Sequence, residues 1–510
     1  MKIAVIGSLL LSILHSILFW GHRAGISVLL FVIPAVFFVL YLLEKKEKIK
    51  NKKAMALTIP ILLLASCYLL FDNTFLQVIN FFAIILLLVS MVIWLISDKF
   101  EFTYFLAKIF NLILGPIEFV GDSLKEIKRV LVHPKKEQQE TNQRTNLGRK
   151  VIKGILISVP IALVVLILLI SADDAFARIF KGISRYLFGW LQDISFVSLI
   201  GRILVIGILF VYFVSILYNL LHKDTSFSVL HEIKRPKIIK LDSFSVNTLL
   251  TILNVIYLLF CIMQIWAVST NIYTEVTQYS RSARQGFFQL VIVSFINLVV
   301  ILISTANRKE QTNLSVRYRK VMNLLLIGFN IVLLFLSFVR MNQYESKYGY
   351  TLLRLLVYWT ILTEAILMIP TVIYILKKKI ALFQSYFVII TTMYVLLNFV
   401  NIDTMIAKRN VDRYSQTGKI DFTYLSQELG AEAVPQIKRL YEELQNKTGQ
   451  TQLKEEVNRY LYRYLSNHKK DYQSWQSFNF PRYKAKRVLN SMTLGPSYED
   501  HAVNLYPYQL

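Results

Sequence analysis

Glu364 sits in the middle of the run Tyr358 to Pro370 (YWTILTEAILMIP), which holds no other charge. An ionisable group in the centre of an apolar run is costly in lipid and marks a functional site by default. Three chemistries fit it. It could bind a cation, relay a proton, or be tied to an amide such as Asn297 or Asn330 on a neighbouring run. The runs also carry Asn254, Gln264, Asn323 and Asn398, so a polar interior is expected in the rear part of the chain. Pro34, Pro60, Pro160 and Pro370 fall inside apolar runs, where proline kinks or breaks a helix, as in the substrate sites of transporters.

A second set of candidates stands where apolar runs begin. Arg281 and Arg284 lie in Tyr279-Ser-Arg-Ser-Ala-Arg-Gln285, and Glu345 and Arg354 in the stretch from Arg340 to Arg354. Both stretches mix arginine, tyrosine and amides. They read either as anchors at the level of the lipid headgroups or as a pocket for an anion or headgroup, with Arg281, Arg284 and Arg354 as its charges. A transporter would bring Glu364 and these arginines to one cavity.

Other chemistries find no support. There is no phosphate-cradling glycine loop followed by lysine, no paired-histidine zinc helix and no nucleophile elbow. The 7 histidines are scattered, and the 2 cysteines, Cys67 and Cys261, each fall within an apolar run. No catalytic residue, metal ligand or cofactor is therefore assigned, and an enzyme is the less favoured class. Lipid-linked sugar transferases often need an acid in their first outer connector, which here reads Gly21-His22-Arg23. Asp173, Asp174 and Glu275 are the acids near the outer run ends, and the first two are placed to cap a helix.

The elements that must position these residues follow from the distribution of apolar residues. They come in blocks of roughly twenty, the length that crosses the hydrocarbon core. Helices satisfy their own backbone groups there, so the fold expected is all-α, a polytopic transmembrane helical bundle of about eleven spans. The spans read 3–20, 24–43, 54–71, 75–96, 151–171, 197–221, 246–270, 287–305, 321–339, 352–376 and 380–400. The segment 100–120 has apolar residues at helical spacing with a polar face opposite, which suits a helix lying in the interface rather than a twelfth span; 176–191 reads likewise. The domains expected are a four-span section at 1–98, an interfacial helix and basic linker at 99–150, a seven-span core at 151–400 and a helical tail at 401–510.

Charge orients the bundle. The chain has 57 Lys+Arg against 32 Asp+Glu, and the run Glu44–Lys53 alone holds 6 lysines. Three rear connectors on that side hold 13 basic residues, and the three opposite ones hold 7. Basic connectors stay in the cytoplasm. The expected localisation is therefore the plasma membrane, multi-pass, with a cytoplasmic amino terminus and an extracytoplasmic tail. The surplus +25 charge then points to anionic lipids at the basic cytoplasmic loops as partner and not to nucleic acid; no protein partner can be named.

In the tail, Asp421 is a plausible cap for a helix through Leu429, and 434–444 and 453–465 carry apolar residues at helical spacing. From Trp475 onward the sequence is aromatic and basic without clear periodicity.

The two arginine- and tyrosine-bearing stretches, taken with Ser171-Ala-Asp-Asp-Ala-Phe176, Asn401-Ile-Asp403 and the run through Asn410 to Arg413, resemble a group of bacterial polytopic membrane proteins known as a domain of unknown function of the 4153/4173 type. The resemblance covers roughly 155–441 and implies the architecture without adding a catalytic residue. Two functions are expected from the sequence: transport or small-ligand handling at the bacterial plasma membrane, or a non-transporting sensor or scaffold whose outer tail binds a partner or envelope component.

Overall fold

A computed structural model describes residues 1–97, 119–131, 194–222, 243–269, 276–306, 313–377, 380–446, 450–467 and 474–492, with a few positions between 108 and 116. The expected span at 151–171, the interfacial helix at 176–191 and most of the segment 100–120 lie outside the described residues.

Among the described residues the protein is helical throughout, and nine helices are long and apolar enough to cross a membrane. A shorter apolar stretch, Gln289–Thr305, coincides with the eighth expected span. The protein is thus an integral, multi-pass membrane protein. Large apolar side chains such as Phe37, Phe82 and Met263 point outward from the spans, as a lipid-facing surface requires.

The chain divides into two compact units. The first comprises Met1–Trp20 and Asn111–Thr225. Within it α1 (Lys2–Phe19) packs on α6 (Ile194–His222), and α5 (Val120–Leu131) lies against α6. Ser8, Ser12 and Ser16 form a buried stripe along α1, the small-residue spacing that lets helices approach closely in lipid. Ser16 also accepts from the Arg202 side chain at 2.7 Å.

The second unit comprises Gly21–Phe110 and Ser226–Leu510. Its front spans are α2 (Ile26–Lys45), α3 (Thr58–Leu70) and α4 (Thr74–Ile96). Pro34 lies inside α2, but Pro60 falls in the first turn of α3, where its missing N–H costs little. The lysine-rich connector after α2 is fastened to the end of α4: Lys50 and Asn51 donate backbone N–H bonds to the Leu95 carbonyl at 2.7 and 3.1 Å. The rear spans are α7 (Ser243–Ser269), α8 (Val276–Ala306), α9 (Asn313–Tyr348), α10 (Leu352–Lys377) and α11 (Leu382–Phe399). The 36 residues of α9 span about 54 Å at 1.5 Å per residue, so it projects past the bilayer. The stretch Arg340–Tyr348, expected as a loop, continues that helix, because no breaker intervenes before Gly349.

The tail holds α12 (Ile402–Thr417), α13 (Phe422–Gln427), α14 (Val434–Gln445), α15 (Thr451–Asn467) and α16 (Phe480–Asn490). Asp421 caps α13 through the Tyr424 N–H at 3.0 Å, as the sequence suggests. The segment after Trp475 differs from expectation: α16 is a capped helix, with Asn479 accepting from the Arg482 N–H at 3.2 Å and proline in its first turn. Its short length and the mixing of Phe480, Tyr483 and lysines hide the period.

The tail core is made of Ile406, Val411, Tyr414, Leu425, Ile437, Leu440, Leu444, Val457, Leu461 and Leu489, and it runs without a break into Leu76 of α4 and Leu397 of α11. A tail helix of this length gains most of its stability from such packing and not from its own propensity. The tail is therefore seated on the ends of the spans.

Candidate functional site: a buried polar seam between tail and spans

Three connectors on one side of the second unit receive the tail. The first is Gly21–Gly25. Ile26 donates its N–H to the Phe478 carbonyl at 2.9 Å, and the Arg23 N–H reaches the Ser477 hydroxyl at 3.0 Å. The approach is so close that a Cβ on Gly25 would stand 2.5 Å from the Phe478 oxygen. The second connector is Tyr348–Thr351. Asn410 of α12 accepts from the Tyr350 N–H at 3.0 Å and donates to the Tyr350 carbonyl at 2.8 Å, in the manner of a strand partner. Gly349 adopts φ +85 there, in the left-handed region that glycine enters without strain.

The third connector, between α3 and α4, carries the chemistry. It is three residues long, Phe71-Asp72-Asn73. Asn73 caps α4 through the Leu76 N–H at 2.9 Å, and its amide donates to Asp403 at 2.6 Å. The other oxygen of Asp403 accepts from the Gly430 N–H at 2.8 Å. Asp72 offers one oxygen to the Arg482 guanidinium, at 2.8 Å from Nε and 2.6 Å from Nη2, and the other to the Ala431 N–H at 3.2 Å. The Asp72 N–H in turn donates to Glu432 at 2.8 Å. Asn479 closes the seam by donating to the Tyr68 and Phe71 carbonyls at 2.8 and 2.9 Å.

Asp403 is 0% exposed and Glu432 5%. Burial raises the Asp403 value, against the stabilising N–H of Gly430 and amide of Asn73. Glu432 is pushed up to about 8, first by burial and then by the Asp403 charge beside it. The seam therefore favours the protonated form of Glu432 beside the Arg482–Asp72 ion pair. The oxygens of Asp72 and Asp403 are spent on N–H donors, which does not fit a metal, and among the described residues no three His, Cys, Asp or Glu side chains are arranged as a metal site.

Beneath the seam, on the membrane side, lies a cavity of about 10 Å³, room for roughly one water. Glu432, Asn73, Gln77, Asn80, Asn398 and Cys67 are among its lining residues. Asn80 donates to Asn398 at 2.7 Å and accepts from the Tyr394 hydroxyl at 2.5 Å, so a polar column continues from the seam into α4 and α11.

The residues singled out from sequence fall in other places. Glu364, Asn297 and Asn330 do meet, in one network contributed by four spans. The Tyr257 hydroxyl donates to Asn297 at 2.7 Å, Asn297 to Asn330 at 3.0 Å, Asn330 to the Ser294 carbonyl at 3.1 Å, and the Ser294 hydroxyl to Glu364. Ser294 escaped notice because a serine in a span carries no signal of its own. Arg354 is elsewhere: it stacks on the Tyr344 ring at 4.6 Å and bonds the Gly349 carbonyl. Glu345 accepts from the Tyr358 hydroxyl at 3.0 Å. Ten residues of helix, about 15 Å, separate Arg354 from Glu364 along α10. Arg281 and Arg284 are carried on α8, and their side chains lie outside the described residues.

Asp72, Glu432 and Arg482 were missed by sequence reasoning. Asp403 and Asn410 belong to a stretch that carries the resemblance, which implies no role for them. The usable signal was Asp72-Asn73 between two spans with no room for a solvated loop, and Glu432 alone in Ala431-Glu-Ala-Val434.

Fold and seam together define a multi-pass helical membrane protein with a small helical domain seated on one face of its spans. Residues 58–440 match the family described as a domain of unknown function, DUF4153, and the chain belongs to that family. The match begins about a hundred residues earlier than the resemblance read from motifs, so α3 and α4 are part of the family region. No curated protein and no solved structure matches the chain.

Proposed function

We propose that the protein is a non-transporting relay of the bacterial plasma membrane, in which the tail domain receives a signal outside the cell and passes it to the spans. The observation that carries this reading is the buried seam: Asp72, Asn73, Asp403, Glu432 and Arg482 lock the tail to the α3–α4 connector. A domain that only floated beside the bundle would need no such tie. The outward placement of the tail rests on charge. The lysine-rich connector is bound to the opposite end of α4, and basic connectors stay inside. Anionic lipids at that inner connector complete the reading.

Transport is the second reading. It is supported by the intramembrane network around Glu364, which assembles α7, α8, α9 and α10. The two separate in one experiment on full-length protein in lipid nanodiscs, with hydrogen exchange followed at the inner connector (residues 46–57) and cell function followed by complementation. The relay reading expects Asp403→Asn to alter exchange at 46–57 and Glu364→Gln to complement at normal abundance. An unchanged inner connector with a dead Glu364→Gln variant would replace relay by transport.

A further inference from the structure

The outer face of α16 fits the lipid surface. Its helical wheel splits cleanly. Arg482, Ala485 and Leu489 point into the protein, with Ala485 and Leu489 fully buried and Arg482 held on Asp72. Phe480, Tyr483, Lys484 and Arg487, at spacings of three and four residues, occupy the opposite side and are exposed. Phe480 and Tyr483 are 50% and 51% exposed, and Trp475 in the preceding turn is 58% exposed. Phe478, Phe480 and Tyr483 form one group: the Phe478 ring lies 5.3 Å from Phe480 and 6.1 Å from Tyr483.

The depth of this group is fixed by its bonds to the spans. Phe478 accepts the N–H of Ile26, the first residue of α2, and Asn479 bonds the carbonyl of Phe71, the C-cap of α3. Leu70, the last residue of α3, and Leu30 in α2 already face outward as lipid-exposed side chains. The aromatic group is therefore attached to the ends of α2 and α3, at the point where the spans leave the hydrocarbon. Tyrosine and tryptophan favour that level, and Lys484 and Arg487 share the exposed face of α16 with Phe480 and Tyr483.

We propose that Trp475, Phe480 and Tyr483 form a foot in the headgroup layer on the tail side, and that Lys484 and Arg487 bind the phosphates of anionic phospholipids there. This placement does not depend on the relay reading, because the foot would seat the tail in a transporter as well.

The test uses full-length protein in nanodiscs of phosphatidylcholine, with and without phosphatidylglycerol. Trp475 emission is obtained by difference from the Trp475→Phe variant. Lipids brominated near the headgroup are expected to quench it, and aqueous iodide is not. The phosphatidylglycerol affinity read from the lipid-dependent change in Trp475 emission is expected to fall about fivefold for each cation removed in Lys484→Gln and Arg487→Gln. Both positions are exposed, so the variants retain the fold, which thermal unfolding verifies. Quenching of Trp475 by iodide and not by bromolipid would overturn the proposal and leave the face to a soluble partner. An unchanged phosphatidylglycerol dependence of Trp475 emission in the double variant would overturn the phosphate assignment.

Discussion

Glu432→Gln isolates the proton in the seam. Glutamine keeps an oxygen for the Asp72 N–H and removes the ionisable group. In the native chain Glu432 is pushed up to about 8 from the ordinary 4.5, by burial and by Asp403. A carboxyl whose value is raised by folding stabilises the folded state fully below its unfolded value, and that stability is lost as pH rises through the folded one. Between the two values the loss amounts to roughly 5 kcal/mol, of which roughly 2 kcal/mol falls between pH 6 and pH 8. The other groups facing this carboxylate are Asp403, Asp72 and the thiol of Cys67. Arg482 is spent on Asp72, and Tyr460 of α15 faces the two aspartates. None of these offers Glu432 a cation of its own.

The assay is hydrogen exchange of the full-length protein in nanodiscs from pH 6 to pH 8, corrected for the intrinsic pH dependence of exchange, on peptides covering 71–77 and 429–435. Native protein is expected to lose protection about thirty-fold over that range, the equivalent of roughly 2 kcal/mol. Glu432→Gln is expected to hold its protection flat. Native protection that does not change with pH, or a glutamine variant that keeps the native slope, would refute the assignment of the proton to this residue.

Further substitutions test the seam's other ties. Arg482→Met leaves Asp72 buried without its cation and is expected to destabilise the tail by about 3–5 kcal/mol in denaturant unfolding, with Asp72→Asn added to it recovering much of the loss. Gly349→Ala places a Cβ 2.6 Å from Asn410 Oδ1 at a positive φ, and a cost of about 1–3 kcal/mol is expected by thermal unfolding, partly relieved by Asn410→Ala. Asn80→Leu leaves Asn398 and Tyr394 short of a partner in the membrane, for a cost of about 1–3 kcal/mol, and a double-mutant cycle with Asn398→Leu is expected to show strong coupling.

The spans among the described residues are legible because lipid imposes a single rule on each of them, and twenty apolar residues satisfy it regardless of neighbours. The network around Glu364 was legible for the same reason: a charge inside such a run stands out. The seam is built from pairs 330 and 360 residues apart, Asn73 with Asp403 and Asp72 with Glu432. Each of these residues looks like an ordinary loop or tail polar group until the fold brings it to its partner. The helix α16 was hidden for a different reason. Its inward face is Arg482, Ala485 and Leu489, and an arginine there is read as solvent-facing until Asp72 is found opposite it. A membrane protein's soluble parts thus lose the help that lipid gives, and their sites have to be read from geometry.

The choice of polar groups for the seam is itself informative. An apolar joint would hold the tail at least as firmly, since replacing a buried ion pair by packed hydrophobic residues is often neutral or stabilising. Leu76 and Leu397 already provide such a joint in the shared core. What the carboxylates add is register. Asp72 bonds both Ala431 and Arg482, Asp403 bonds both Asn73 and Gly430, and Glu432 bonds the Asp72 backbone, so a shift of the tail by one residue would leave several charges buried without partners. Partners lost in this way cost far more than a misplaced methyl group. The tail is therefore held in one orientation on the α3–α4 connector.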